Sequence, residues 1–287
     1  MRGYLPACPT VAWIACLTLG AAPGLLAAPQ GTLVVSSDIP GIGVAVGDQR
    51  VDLSGAPVTV GLEPGQYELC LADGYGEVRR TAMVRPGETT RVAISWSDLS
   101  PAELHALGSA RFDRGAYEEA VPFFRISAAA APASIAFRND LGLALHLSGR
   151  PAEARQVLED VVRSDPGSAA AHFNLAGVLV SLGEREAALW EYGQARKLAP
   201  DDPNIWNDLA ATLLEMGWAQ RAELEYAGLT RQHAEYANGW FGYAACLERN
   251  HKTSQATDAW RRFLALGGSD ADSEFVRVAK EHLAGKR

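Results

Sequence analysis

The side chains that most often perform chemistry are scattered along this chain of 287 residues. Zinc proteases use the His-Glu-x-x-His pattern, and structural zinc sites place cysteines and histidines at short, regular spacings. The histidines follow neither pattern; they are His105, His146, His172, His233, His251 and His282. The sequence also lacks a Gly-x-Ser-x-Gly elbow and a Walker loop. We therefore expect no enzyme, no metal and no cofactor; a hydrolase with an unrecognised site is the residual alternative.

Two further motifs have simpler interpretations than binding sites. Gly41, Gly43 and Gly47 are spaced like a glycine-rich nucleotide loop, but that loop needs a strand before it and a helix after it. Strand-like sequence follows these glycines, so we interpret them as turn residues. Asp201 and Asp202 stand directly before a predicted helix, where an aspartate caps free backbone N–H groups.

The charge balance narrows the class of partner, and the cysteines indicate whether disulfides are expected. The chain has 26 Lys and Arg against 34 Asp and Glu, a formal net charge of −8, and its basic residues form no stripe. This argues against nucleic acid and anionic lipid as partners. Cys70 and Cys246 lie on apolar patterns far apart in the sequence, which predicts two buried single thiols and no disulfide framework.

Residues 1–28 have the layout of a secretory signal peptide. Arg2 is the only charged residue, the segment from 11 to 26 is almost entirely apolar, and small residues follow at Ala27 and Ala28. A membrane span needs about 20 unbroken apolar residues, which this segment lacks. The residues before Cys16 make a poor lipobox. We expect export to the periplasm or another extracytoplasmic compartment, with membrane attachment only if the segment stays uncleaved.

A repeat of 34 residues organises the rest of the chain. Gly115, Gly149, Gly183 and Gly217 follow one another at this interval, and His251 takes the fifth place. Such a period predicts an α-solenoid of stacked helical hairpins. We predict five hairpins, whose first residues are Pro101, Ile135, Ala169, Pro203 and Ala237.

These hairpins resemble the tetratricopeptide repeat (TPR). A large residue followed by a small one marks the first helix: Leu107-Gly108, Leu141-Gly142, Leu175-Ala176, Leu209-Ala210 and Tyr243-Ala244. A large or aromatic residue marks the second: Phe124, Leu158, Tyr192, Tyr226 and Trp260. The small residue lets the two helices approach closely. His172 occupies a place where this repeat packs an aromatic ring, so we predict a core histidine there and not a ligand.

The resemblance implies that the first helices line a concave groove that binds a partner protein or peptide. Nine residues are the candidates for this groove: His105, Ser109, Phe112, Asn139, Leu143, His146, Phe173, Asn207 and Phe241. Leu214 and Glu248 lie nearby. Amides suit a peptide backbone and the rings of Phe173 and Phe241 supply apolar anchors; the alternative is that the asparagines are merely solvated. The groove positions hold no lysine, so we do not expect the carboxylate clamp of some relatives.

Residues 29–97 carry a different, β-rich pattern. Six short runs lie between turns, at 32–35, 44–46, 58–60, 67–71, 82–84 and 91–94. They leave no room for crossover helices, which predicts a small all-β antiparallel sandwich. The stretch from Ala56 to Tyr67 and the later Pro86-Gly87-Glu88-Thr89 resemble a PEGA domain, although Pro40-Gly41-Ile42-Gly43 replaces the tetrapeptide that names it. The family implies an extracytoplasmic structural or binding role.

The predicted organisation is a signal peptide (1–28), a PEGA-like β domain (29–97), a linker (98–100), five repeats (101–268), and a capping helix with a tail (269–287). Ser269 or Asp270 would cap the last helix. The main hypothesis is an exported, bacterial, non-enzymatic scaffold that binds a protein or peptide in the groove. The rival hypothesis is binding of an envelope glycan or surface polymer by the β domain through Tyr75 and Trp96, with the repeats as spacer or oligomerisation element.

Overall fold

The computed structural model describes residues 30–37, 43–46, 49–52, 57–72, 77–267 and 274–285. The chain divides into two compact units, Met1–Ser127 and Ala128–Arg287. The residues predicted to form a signal peptide lie outside the described ranges. The first unit holds a β sandwich and the first helical hairpin, and the second unit holds the later hairpins.

Seven strands within the described residues form two sheets. They are β1 (Gly31–Ser37), β2 (Gly43–Val46), β3 (Gln49–Asp52), β4 (Val58–Leu62), β5 (Gly65–Ala72), β6 (Glu77–Val84) and β7 (Thr89–Ile94). One sheet has the order β4-β1-β7 and the other β3-β2-β5-β6. Leu33 and Val35 from the first sheet share a buried cluster with Val44, Val46 and Leu69 from the second. The predicted sandwich is therefore present.

The pairing departs from the prediction of an all-antiparallel sandwich in one place. Strand β1 pairs with β7 in parallel, with Val35 opposite Val92. A parallel pair needs a long connection because both strands run in the same direction. Here the strands between β1 and β7 supply that length in place of a helix. Strand β3 was not predicted, because Val51 is the only β-branched residue among its four.

The first hairpin consists of α1 (Pro101–Phe112) and α2 (Tyr117–Ala130), after a short 3₁₀ helix at Trp96–Asp98. Helix α1 begins with a capping box. The backbone N–H of Glu103 donates to Ser100 Oγ at 3.2 Å, and the N–H of Ser100 donates to Glu103 Oε2 at 2.8 Å. Two of the donors that every helix start leaves open are thereby satisfied.

The sandwich and the first hairpin share one hydrophobic core. Leu99, Leu104, Leu107 and Phe123 belong to the same buried cluster as the strand residues. At the edge of this core, Arg80 of β6 contacts Glu103 Oε1 at 2.7 Å. The predicted linker at 98–100 thus contains a buried core residue, and packing continues past the change from strands to helices.

The helices of the second unit pair as hairpins. They are α3 (Ile135–Leu147), α4 (Pro151–Ser164), α5 (Ala169–Ser181), α6 (Arg185–Leu198), α7 (Pro203–Glu215), α8 (Ala219–Gln232), α9 (Ala237–Arg249), α10 (Thr253–Leu266) and α11 (Glu274–Leu283). Helices α1, α3, α5, α7 and α9 begin at the five residues that the 34-residue repeat predicts. The solenoid is confirmed.

Two kinds of glycine explain why the hairpins close. A Cβ atom on Gly142 would lie 2.5 Å from Leu158, so the helices α3 and α4 approach too closely for a larger residue. Gly149 sits in the turn with φ of 81°, a conformation that costs other residues energy. His251 takes this place in the fifth hairpin with φ of 58°.

Helix α11 packs against the last hairpin, as the predicted capping helix does. Val276 and Ala279 are buried in a cluster that includes Ala244, Trp260 and Phe263. The predicted cap residues Ser269 and Asp270 lie outside the described residues.

Candidate functional site: the first-helix face

The nine residues predicted to line a groove all lie on first helices, and all are half-buried. Three of them, His105, Ser109 and Phe112, belong to α1 in the first unit. The other six lie on α3, α5, α7 and α9 of the second unit, and we call the surface they mark the first-helix face. Half-burial is what a preformed binding surface requires, since its side chains are held by neighbours and remain open on one side.

On α1, the predicted residues are engaged with their own hairpin. The His105 and Phe124 rings lie 5.1 Å apart, and the Phe112 ring lies 5.0 Å from Tyr117. Ser109 Oγ donates to the carbonyl oxygen of His105 at 3.0 Å. These contacts hold the side chains of α1 in place.

On α3 and α5, two hydrogen bonds join the predicted residues to side chains of the next first helix. Asn174 Nδ2 donates to Asn139 Oδ1 at 3.0 Å. His146 Nε2 and Ser181 Oγ lie 2.7 Å apart, and burial lowers the pKa of His146, which favours the neutral ring. Sequence reasoning missed Asn174 and Ser181, although each lies 35 residues after a predicted residue. These polar contacts between α3 and α5 therefore hold the side chains in place before any ligand binds.

On α5 and α7, the face combines a ring, an amide and a carboxylate. The Phe173 ring packs against Tyr192 of α6, with ring centroids 5.8 Å apart. Asn207 Nδ2 donates to Asp208 Oδ1 at 3.0 Å. Asp208 was not among the predicted residues, because the sequence pattern does not show that a carboxylate one place beyond Asn207 shares its face.

The Asp208 carboxylate lies in a partly desolvated environment. Burial raises its pKa; the hydrogen bond from Asn207 opposes this effect, and the charge of Asp202 adds to it. Burial also raises the pKa values of Tyr192 and Tyr226, and in both cases the negative charge of Asp208 contributes. The charge of Asp208 therefore disfavours ionisation of both phenol groups.

On α9, the predicted residues support the capping helix. The Phe241 ring contacts the rings of Trp260, Phe263 and Phe275, at 5.1, 5.3 and 5.2 Å between centroids. Glu248 Oε1 accepts a hydrogen bond from Trp260 Nε1 at 3.0 Å and lies 2.9 Å from His282 Nδ1. Much of the surface of Phe241 is thus used within the fold.

His172 is a core residue, as the repeat pattern predicts. It is 3% exposed, with Nδ1 2.6 Å from Glu191 Oε2 and Nε2 3.2 Å from the carbonyl oxygen of Pro166. One repeat later, Trp206 Nε1 donates to the carbonyl oxygen of Pro200 at 2.8 Å. The histidine therefore makes the contact that tryptophan makes in the next hairpin.

The remaining chemistry-bearing groups form no metal site within the described ranges. No three or more His, Cys, Asp or Glu side chains are placed there to hold a metal ion. Cys246 is buried and burial raises the pKa of its thiol to about 11, opposite to the lowered pKa of a reactive cysteine. Cys70 is only partly buried, so the prediction of a buried thiol is wrong there.

The two aromatic residues of the rival glycan hypothesis are not part of a described surface. Tyr75 lies outside the described residues, and so does the side chain of Trp96. Within the described residues, every helix is too short or too polar to cross a bilayer.

Family comparisons identify both parts of the chain. The tetratricopeptide repeat model matches residues 111–172 and 145–207, and the PEGA domain model matches residues 30–97.

Among individual relatives, the chain is 33% identical over 115 residues to the TPR repeat-containing thioredoxin TTL4 of Arabidopsis thaliana. The aligned residues make up 40% of this chain and 16% of that protein. It is 25% identical over 187 residues to protein FlbA of Caulobacter vibrioides, covering 63% of this chain and 31% of that protein. The chain thus spans less than a third of either relative.

Among solved structures, TTC0263, a TPR protein of Thermus thermophilus, superposes with a TM-score of 0.56 at 15% identity, over 64% of this chain and 100% of that one. PilF of Pseudomonas aeruginosa superposes with a TM-score of 0.54 at 19% identity, over 65% of this chain and 88% of that one. These similarities show the shared fold.

Proposed function

The chain carries tetratricopeptide repeats and an N-terminal PEGA domain, and from this premise we propose that it is an exported, non-enzymatic scaffold that binds a peptide segment of a partner protein. The binding surface is the first-helix face on α3, α5, α7 and α9. Stacked helical repeats supply extended surfaces of this kind, and partner binding is their usual role.

The observation that carries the proposal is the state of the side chains on that face. Asn139 and His146 are held by hydrogen bonds across α3 and α5, and the Phe173 ring is held against Tyr192. Each of them is half-buried and so keeps an open side. Side chains that are already ordered lose little conformational freedom when a ligand binds. Amides between apolar rings match the alternating polar and apolar groups of an extended peptide.

Export is supported by the sequence alone. Residues 1–28 combine one basic residue, a short apolar segment and small residues at the exit, which is the order of a secretory signal. The PEGA domain that follows agrees with an extracytoplasmic location.

Site-specific photo-crosslinking tests the proposed surface. Benzoylphenylalanine replaces Leu143 on the first-helix face or, as a matched control, Gln156, which is exposed on the second helix of the same hairpin. The full-length protein is irradiated in its native cells and the products are identified by mass spectrometry. We expect one protein to crosslink from position 143 and not from position 156, and we expect Phe173→Ala to abolish this product while the circular dichroism spectrum is retained.

Equal labelling from positions 143 and 156, or a product that survives Phe173→Ala, would contradict the proposal. Retention of envelope glycan by the full chain, with unchanged binding in Phe173→Ala, would favour the rival role of the β domain.

A further inference from the structure

The repeat fixes which side chains meet across successive first helices. Asn139 and Asn174 are hydrogen-bonded and 35 residues apart, and so are His146 and Ser181. Because the hairpins repeat every 34 residues, the same offset applies between α5 and α7. By this offset, Phe173 on α5 and Asp208 on α7 occupy the positions that Asn139 and Asn174 occupy on α3 and α5, so a ring and a carboxylate take the place of two amides.

Aromatic groups surround this position. Tyr192 contacts the Phe173 ring, and the Asp208 charge raises the pKa of both Tyr192 and Tyr226, after the larger effect of burial. On α9, Gly242 leaves room for Tyr226, since a Cβ atom there would overlap the tyrosine ring. The charge of Asp208 thus acts on two tyrosines, one of which packs against Phe173.

Among the described residues, two other half-buried carboxylates of these helices pair with a basic side chain, and Asp208 does not. Glu223 pairs with Lys252, and Glu225 pairs with Arg196. Within the described part of the chain, the hydrogen bond to Asp208 comes from the neutral Asn207 amide, and no Lys, Arg or His nitrogen lies within ion-pair distance. A partly desolvated carboxylate without a cation is unfavourable for folding, and a cationic ligand would relieve that cost.

We propose that Phe173 and Asp208 form a subsite for a lysine or arginine side chain of the bound peptide. The alkyl stem lies along the Phe173 ring, and the charged head contacts the Asp208 carboxylate. This arrangement combines a cation–π contact with a charge-assisted hydrogen bond, and long basic side chains can bury their stems in this manner. The inference rests on the proposed function and specifies the chemistry of the partner.

Peptide pools test the subsite directly. Fluorescein-labelled nine-residue peptides carry Lys, Arg, Gln or Glu at the centre and random uncharged residues elsewhere, and their binding to the full chain is measured by fluorescence anisotropy. The Lys and Arg pools should bind about tenfold more tightly than the Gln pool, as expected for one hydrogen bond to a charged group. Asp208→Asn should remove this preference. The matched control is Glu186→Gln, which neutralises an exposed carboxylate on α6 and should leave the preference unchanged.

Thermal unfolding separates a binding role from a structural one. Burial raises the pKa of Asp208, so the ionised carboxylate destabilises the folded protein at neutral pH. Asp208→Asn should therefore unfold at the same temperature as the native protein or higher, while losing the preference for basic peptides. A clear drop in the unfolding temperature would assign Asp208 a structural role and overturn the proposal.

The pools also distinguish the two proposals from each other. If the Gln pool binds as tightly as the Lys pool and Phe173→Ala weakens both, the subsite is wrong and the peptide-binding face stands. If every pool binds equally to the native protein and to Phe173→Ala, or none binds, both proposals fail.

Discussion

In the first unit, side chains distant in sequence meet in one core, whereas in the second unit each helix packs against helices one or two places away in the chain. Leu33 of β1 and Leu104 of α1 share the core of the first unit. Hairpin α3–α4, by contrast, is closed by local contacts such as Gly142 against Leu158. A substitution in the core of the first unit should therefore perturb strands and helices together, whereas one in the second unit should perturb only neighbouring helices. The first-helix face of the second unit is then free to evolve toward a partner.

The largest loss of stability should follow a substitution in the shared core of the first unit. Leu104 is 1% exposed, and Leu104→Ala should lower the free energy of unfolding by about 3 kcal/mol. Denaturant titration gives the magnitude, and hydrogen exchange should show lost protection in β1 and β6 as well as in α1. Leu224→Ala, at a leucine that is 75% exposed on α8, should change stability by less than about 0.5 kcal/mol. Unchanged protection of the strands in Leu104→Ala would show that the hairpin is not part of their core.

A pair of glycine substitutions tests the local packing of the second unit. Gly142→Ala should cost about 2 kcal/mol, because the added methyl group overlaps Leu158. Gly193→Ala in α6 meets nothing within 4 Å and should stabilise the protein by up to about 1 kcal/mol, since alanine favours helices. Equal effects of the two substitutions in thermal unfolding would contradict the close approach of α3 and α4.

The polar edge of the shared core should respond to pH. The Arg80 guanidinium, together with the hydrogen bonds from Ser100, lowers the pKa of Glu103 to about 2 despite partial burial. A lowered pKa in the folded state stabilises the protein above the unfolded pKa, and the stabilisation is lost as the pH falls towards 2. Glu103→Gln should therefore cost about 1 kcal/mol at neutral pH, a small value because both side chains are partly solvated.

The control for this prediction is Glu119→Gln on the exposed side of α2, which should leave stability nearly unchanged. A difference between native protein and Glu103→Gln that stays constant from neutral pH down to pH about 2 would contradict the assigned pKa shift.

The smallest change in stability should follow a substitution in the turn of the fifth hairpin. His251 has φ of 58°, whereas Gly217 fills the same place in the previous hairpin with φ of 80°. His251→Gly should raise the free energy of unfolding by about 0.5 kcal/mol by relieving backbone strain. The reciprocal change Gly217→Ala should lower it by about 1 kcal/mol. Thermal unfolding measures both changes. A less stable His251→Gly protein, or a more stable Gly217→Ala protein, would contradict the role of backbone strain in these turns.

The helical part of the fold could be predicted because its pattern is local and repeated. The starts of the five first helices followed from the 34-residue spacing of residues such as Gly149, and the close approach of the helices followed from small residues such as Gly142. The capping helix followed from the cap residues Ser269 or Asp270. The parallel pairing of β1 with β7 was missed because those strands lie at opposite ends of the sandwich and no local pattern joins them. The role of Leu99 and Leu104 in the core of the strands was missed for the same reason.

The positions of the candidate residues could be predicted from the repeat, whereas their contacts could not. The repeat placed Asn139, Phe173 and Asn207 on first helices, where the structure finds them half-buried. It did not show that Phe241 packs against the capping helix, or that Asp208 stands beside the predicted residues. Both depend on how neighbouring helices are offset, which only the three-dimensional packing determines.

Hydroxyl-radical footprinting of the full chain, with and without the peptide segment recovered by photo-crosslinking at position 143, shows which side of the hairpins the partner covers. Leu143 and Phe173 represent the first-helix face, while Trp190 and Leu224, 59% and 75% exposed on second helices, represent the opposite side of the hairpins. We predict that the peptide protects Leu143 and Phe173 from oxidation and leaves Trp190 and Leu224 unchanged. Protection of Trp190 and Leu224, with Leu143 and Phe173 still oxidised, would contradict the assignment of the binding surface.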